Sequence, residues 1–298
     1  MTDLPDLFPG FASHWIETGG ARIFARTAGV GEPLILLHGF PQTMAMWHRI
    51  AAKLARTFCV VMIDLRGYGW SSAPDSDGGA GYSKRAMGED VVVAMETLGH
   101  VRFSVIGHDR GARVGYRLAL DHPGRVTKLA LLDIIPTIEV WKNVRAGVAA
   151  SAHWGFLSRP APTPEKDIAA DPDGYFEGLM TKWANTQSLA SFDPRAMAQY
   201  RAFWGDPTRI HAMCEDYRAG ATLDLAADEA DLAAGKSILC PVLNITGDFY
   251  LTRSATETPV QIWRRTFAPG VSGGMVPGGH FVAEEAPVET FDALARFL

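Results

Sequence analysis

The sequence predicts an α/β fold: a mostly parallel, eight-stranded sheet flanked by helices, with a helical domain inserted between two of its strands. Three observations carry this. Short runs rich in Val, Ile and Leu recur without polar alternation, as "PLILLHG" (33–39), "FCVVMID" (58–64), "RFSVIGH" (102–108), "VTKLALLD" (126–133) and "CPVLNITG" (240–247), the pattern of strands buried on both faces. Helical patterns at 43–56, 82–99 and 112–123 separate them, and strands alternating with helices imply parallel pairing. The rhythm then breaks. From about 136 to 225 the chain is aromatic and helical, with the proline-rich loop "SRPAPTPEKD" in its middle.

In chain order, "HWIET" (14–18) and "ARIFARTAG" (21–29) form an antiparallel edge hairpin turned at Gly19 and Gly20, since glycine pairs flanked by apolar segments favour such turns. The five buried runs follow. After the insertion come a helix over "TPVQIWRRTF" (258–267), a last strand near "VSGGMV" (271–276) and a closing helix over "ETFDALARFL" (289–298). The division expected is a core of residues 1–135 and 226–298 and a helical cap of residues 136–225. Such a cap lies over the carboxyl ends of the strands, where open α/β sheets bind their ligands.

Composition narrows the function. With 298 residues, 47% hydrophobic and 20% charged, the chain buries a sizeable core. A net charge of −5 provides no footprint for nucleic acid or an anionic membrane, so a bound anion needs local cations. The cysteines Cys59, Cys214 and Cys240 are odd in number and show no CxxC spacing, which predicts inert core thiols and a reducing, cytoplasmic setting. The opening "MTDLPDLFPG" has no apolar signal core, and no apolar run approaches the roughly 18 residues of a membrane span. The expected partner is a small-molecule substrate, with no nucleic acid and no membrane.

The chemistry centres on "GHDRG" (107–111), a nucleophile elbow G-x-S-x-G with Asp109 in the serine position. In this strand-to-helix turn the central side chain is exposed at the top of the sheet. Alone, Asp109 reads equally well as a helix N-cap. It is not alone. "HGFP" (38–41) follows an earlier strand, so the backbone N–H of Phe40 can join that of Arg110 as an oxyanion hole. "PGGHF" (277–281) places His280 after the last strand, third in the order nucleophile, acid, histidine. Asp133 and Asp248, each at a strand end, compete for the acid. The other histidines show no ligand spacing, so neither metal nor cofactor is expected.

An aspartate nucleophile restricts the reaction. Attack on saturated carbon displaces a leaving group and gives an ordinary alkyl ester, whereas attack on an acyl carbon would give a reactive anhydride. Substrates are therefore expected to carry a halide or an epoxide on sp3 carbon, the ester then being hydrolysed by water activated by His280. Arg110 and Arg113 oppose the dipole of the helix they begin, which points to an anion beside them, and a carboxylate suits their paired donors. Arg117 and Arg125 read as solvated helix charges.

At these residues the chain resembles the fluoroacetate dehalogenases, the haloacetate-hydrolysing branch of the α/β-hydrolase superfamily. The resemblance spans nearly the whole chain, through "DLFPGF", "LLHGFPQT", "MWHRIAAKLA", "GHDRGARV", "LALLDIIPT", "AHWGFLSRPAP", "FDPRA" and "CEDYRAG". It implies the α/β-hydrolase fold with a cap domain, Asp109 as nucleophile, His280 as base and Asp133 as its acid. It further implies that Arg110 and Arg113 bind the substrate carboxylate, that His153, Trp154 and Tyr217 hold the leaving halide, and that the protein is a homodimer. Epoxide hydrolases share "HGFP" and the aspartate nucleophile but typically carry Trp after it. A catalytically silent carboxylate-binding protein would have no use for Asp109 and His280.

Overall fold

Apolar runs without alternation form the middle of one eight-stranded sheet. The computed structural model describes residues 4–252 and 256–298, with Ala150 described by its backbone alone. The strands are β1 (Ala12–Glu17), β2 (Arg22–Ala28), β3 (Pro33–Leu37), β4 (Cys59–Ile63), β5 (Phe103–His108), β6 (Val126–Leu132), β7 (Val242–Gly247) and β8 (Ser272–Val276). Their order across the sheet is β1-β2-β4-β3-β5-β6-β7-β8. β2 runs antiparallel to both of its neighbours, to β1 across the hairpin at Gly19 and Gly20 and to β4; the remaining pairs are parallel. All six residues of β5 and of β7 are buried, which is why these segments carry no polar alternation.

Helices cover both faces: α1 (Ala51–Leu54), α2 (Lys84–Thr97) and α3 (Asp109–Asp121) before β6, and α11 (Pro259–Arg265), α12 (Val282–Glu285) and α13 (Pro287–Phe297) after β7. Between β6 and β7 the chain forms seven α-helices: α4 (Thr137–Arg145), α5 (Ala152–Leu157), α6 (Thr163–Ala170), α7 (Pro172–Trp183), α8 (Pro194–Trp204), α9 (Pro207–Ala221) and α10 (Leu223–Ala233). Four of them, α6 to α9, carry proline within their first two positions, where its missing N–H costs no helical bond. No helix among the described residues is long and apolar enough to cross a membrane.

Three expectations are corrected. The helix anticipated over 43–56 is a 3-10 turn at Met44–Trp47 followed by the short α1; the Thr43 side chain caps the turn by accepting the Ala45 N–H, and the buried Asp64 accepts the Met44 N–H at 2.8 Å. Arg117 is not a solvated charge. It is buried and bonds Asp121 (2.9 and 3.0 Å) and Asp231, so the hydrophilic side of α3 faces α10 instead of water. Of the three thiols, all free, only Cys214 is fully buried; Cys59 and Cys240 are half-buried.

Candidate active site

The elbow between β5 and α3 sets the geometry. Asp109 adopts φ 44°, a left-handed conformation that is strained for a non-glycine residue and persists where the surroundings over-determine it. The turn is tight enough that a Cβ at Gly111 would stand 2.4 Å from the carbonyl oxygens of Leu37 and His38. The "HGFP" loop comes equally close, since a Cβ at Gly39 would lie 2.5 Å from the Asp109 Cβ. Phe40 is thereby brought next to the elbow. Arg110 is the second residue of α3, so its N–H is among the first-turn groups that have no acceptor within the helix.

Asp109 is buried, and its Oδ2 has no partner among the described residues. Burial alone would raise its carboxyl, but His280, Arg113 and Arg110 outweigh it and hold the group below its ordinary value. It is an ionised, desolvated carboxylate. His280 Nε2 stands 3.9 Å from Asp109 Oδ1, too far to hydrogen-bond, while Nδ1 lies 2.7 Å from Asp133 Oδ2. Asp133, itself at φ 50°, accepts the Gly247 N–H on its other oxygen at 3.0 Å. Burial raises this carboxyl, against the lowering effect of His280 and Gly247. Asp248 is exposed and accepts the Gly278 N–H at 3.1 Å, so it braces the loop that carries His280.

Two neutral histidines frame this pair. His108 Nε2 donates to the His280 carbonyl at 2.8 Å, and burial pushes its imidazole down to about 3. His38, pushed down by burial to about 4, accepts the Leu65 N–H on Nε2 at 3.0 Å, which leaves Nδ1 as the donor to the Gly39 carbonyl at 3.0 Å. Both flank motif residues. Their positions beside Gly39 and Asp109 are the only signal by which sequence reasoning could have found them.

The arginines divide. Arg113 Nη1 donates to the Ile135 carbonyl (3.0 Å) and Thr137 Oγ1 (3.2 Å), its Nε has no partner among the described residues, and it lines the cavity with Asp109. Arg110 does not. It is fully buried and clamped by Asp216, through Nε at 3.0 Å and Nη2 at 2.5 Å. Only Nη1 lacks a partner among the described residues. Tyr68 donates to Asp216 at 2.9 Å, and Lys84 completes the clamp. Burial would raise Asp216, but Arg110 and Lys84 hold it at about 2. Asp216 sits one residue before Tyr217, inside "CEDYRAG", and no sequence signal separated it from a surface carboxylate.

The expected halide donors converge from two helices of the insertion. His153 and Trp154 lie on α5 and Tyr217 on α9, with the Tyr217 ring 5.8 Å from His153 and 5.3 Å from Trp154. Burial pushes His153 down to about 3, leaving a neutral donor. Burial and the Asp109 charge keep the Tyr217 phenol well above its ordinary value, and its hydroxyl has no partner among the described residues. Guanidinium groups cover these rings: Arg110 is 4.3 Å from the Tyr217 centroid and 4.8 Å from Trp154, and Arg113 is 4.5 Å from Trp154. Such cations over aromatic faces are favourable when desolvated. A cavity of about 340 Å³ opens in front, lined by Asp109, Arg113, Asp133, His153, Trp154, Tyr250 and His280 among others. Tyr250, which sequence reasoning missed, follows β7. Among the described residues no group of His, Cys, Asp and Glu could hold a metal ion.

The model of the alpha/beta hydrolase fold family matches residues 32–287. The chain belongs to the alpha/beta hydrolase family. Within it, this hydrolase belongs with the fluoroacetate dehalogenases: it is 45% identical to the fluoroacetate dehalogenase of a Burkholderia species over 98% of this chain and 95% of that one. It is also 32% identical to the soluble epoxide hydrolase of a Corynebacterium strain, over 95% and 96% of the two chains. A solved structure, a candidate alpha/beta hydrolase from Nostoc sp PCC 7120, superimposes with a TM-score of 0.92 at 47% identity, covering 97% of this hydrolase and 98% of that chain.

Proposed function

We propose that this hydrolase cleaves the carbon–halogen bond of short 2-haloacids, fluoroacetate giving glycolate and fluoride, through an ester on Asp109. One observation carries the reading. Asp109 Oδ2, Arg110 Nη1, Arg113 Nε and Tyr217 Oη are all buried without partners among the described residues, and unsatisfied buried polar groups are costly unless a ligand completes them. A 2-haloacid does so. Its carboxylate meets Arg113, its α-carbon meets Asp109 and its halogen meets the donors of His153 and Trp154, all of which line the cavity; the reading requires the bound acid to seat against Arg110 Nη1 and Tyr217 Oη, which do not line the open cavity.

Asp109 attacks the α-carbon, the halide leaves with the bonding pair, and the neutral donors solvate it as charge develops. His280 Nε2 then takes a proton from water, which attacks the carboxyl carbon of the Asp109 ester. The backbone N–H groups of Phe40 and Arg110 stabilise the oxyanion, and Asp133 stabilises the imidazolium. In this reading residues 136–225 act as the cap that closes the site. A second reading, epoxide hydrolysis, draws support from Tyr250, which supplies a second phenol near the nucleophile together with Tyr217.

A fluoride electrode separates the two readings, since only the first releases halide. The intermediate has its own test. Displacement at saturated carbon needs no general base, so His280→Asn is expected to release one equivalent of fluoride and stall. Intact-protein mass spectrometry then finds one carboxymethyl group on the peptide containing Asp109. In labelled water, glycolate from the first turnover of the active enzyme carries an unlabelled Asp109 oxygen; label in that first product refutes the ester.

A further inference from the structure

The Asp109 ester is made and broken in steps that move charge in opposite directions. In displacement the carboxylate becomes an ester, so negative charge leaves the oxygen that does not attack. In hydrolysis water adds to the carboxyl carbon, one of its protons passes to His280 Nε2, and the carbonyl electron pair returns to that oxygen as an oxyanion. Collapse then expels the glycolate oxygen, which takes the proton from His280, and the restored carboxyl ionises to solvent. Donors aimed at this oxygen therefore accelerate only the second step, because only there does charge develop on it.

The loop that carries the Phe40 N–H is held by the helices inserted between β6 and β7. The buried Phe40 ring meets Phe176 and Trp183 of α7 at 5.7 and 6.2 Å between centroids, and Tyr217 of α9 at 5.2 Å. Trp204 of α8 donates its indole N–H to the Pro41 carbonyl at 2.8 Å. Gln42 Nε2 donates to Glu284 and to Tyr200 Oη (3.3 Å), and Tyr200 donates to Glu284 Oε1 at 3.2 Å. Glu284 lies on α12, four residues after His280, so these bonds join the oxyanion loop to α8 and to the segment that bears the base. All four side chains are buried, and none lines the cavity in front of Asp109. The last residue of α7 completes the frame, since the Trp183 carbonyl accepts the His280 N–H at 2.9 Å, a terminal group that has no partner within its own helix.

We propose that Trp204 and Tyr200 are positioning residues for ester hydrolysis: with Gln42 and Glu284 they staple the oxyanion loop in place and hold the Phe40 N–H where the oxyanion forms. The proposal rests on the aspartyl-ester reading above. The inserted helices then serve the second half-reaction as well as the first. Trp204→Phe keeps a ring against Phe176, now 5.2 Å away, and removes one N–H, which leaves the Pro41 carbonyl buried without its donor and frees the loop to shift. A shift of about 1 Å at a reacting group costs on the order of 10²-fold in rate, and outright loss of an oxyanion donor about 10²–10³.

Single-turnover quench-flow with enzyme in excess over chloroacetate separates the steps, chloride reporting displacement and free glycolate reporting hydrolysis. For Trp204→Phe, chloride release is expected within about twofold of wild type and glycolate release at least about tenfold slower. Tyr200→Phe is expected to show the same split at about threefold or more, the scale of one neutral hydrogen bond, and carries the comparison alone if Trp204→Phe does not fold. At steady state, intact-protein mass spectrometry finds a larger carboxymethylated fraction in either variant than in wild type. A merely structural role lowers the amount of active enzyme and slows both signals alike. A folded variant whose two signals slow in proportion, or do not slow, overturns the staple and spares the haloacid reading. Wild-type enzyme that releases no chloride overturns the haloacid reading itself, and the staple with it.

Discussion

Asp216→Asn removes one charge from a buried cluster while keeping its shape. Asp216 is fully buried and is shared by Arg110, Lys84 and Tyr68; Asp224 lies 3.6 Å from Lys84 as the only further carboxylate among these contacts. The variant leaves two buried cations against one carboxylate, and its amide cannot accept from both Nε and Nη2 of Arg110 while its nitrogen faces a cation. Breaking a buried ion pair by removing one partner costs about 3–5 kcal/mol, which for a chain of this size is a fall in Tm of roughly 5–8 °C. The Asp216 carboxyl is held below its ordinary value at about 2, so this stability is present above the unfolded value of 3.8 and is lost as pH falls through 2. Thermal unfolding at neutral pH therefore reads it in full. Competitive inhibition by acetate is expected to weaken as well, because Arg110 loses the clamp that aims its Nη1. Adding Lys84→Met removes the excess charge and is expected to restore part of the loss, a coupling visible in a double-mutant cycle. An Asp216→Asn variant that melts within 2 °C of wild type, by the same conversion less than about 1.3 kcal/mol, refutes the clamp, as does a Lys84→Met effect that merely adds.

Three further outcomes are expected. Arg113→Ala abolishes turnover of fluoroacetate and chloroacetate alike, because both present the same carboxylate, whereas Tyr217→Phe harms fluoroacetate more, since fluoride needs the stronger hydrogen bonding; equal losses with Tyr217→Phe remove it from the halide site. Asp133→Asn eliminates steady-state turnover while Asp248→Asn retains most of it, and the reverse pattern in halide-release assays moves the acid to the later strand. Burial raises Glu284 from 4.5 to about 8, against hydrogen bonds from Tyr200 (3.2 Å) and Gln42. The stability tied to its proton is fully present below 4.5 and is lost as pH rises through 8. Glu284→Gln is thus expected to flatten the decline of Tm across that window, and parallel curves for variant and wild type contradict it.

The division between what was legible in the chain and what was not follows the range of the forces involved. Apolar runs without alternation specify strands buried on both faces, and the five of them appear as β3 to β7, because burial of a strand is a local property of period and composition. The elbow was legible for the same reason, since "GHDRG" is a contiguous backbone turn whose glycines admit the close approach of "HGFP". Asp133 and Asp248 both end strands and are equivalent in the chain; only the folded sheet brings one to 2.7 Å from His280 and turns the other toward the Gly278 backbone. The pairing of Arg110 with Asp216, 106 residues away, and of Arg117 with Asp231, 114 residues away, was equally out of reach. Short-range order is written into neighbouring residues, whereas which charge neutralises which depends on distances that exist only once the sheet and the helices above it have packed.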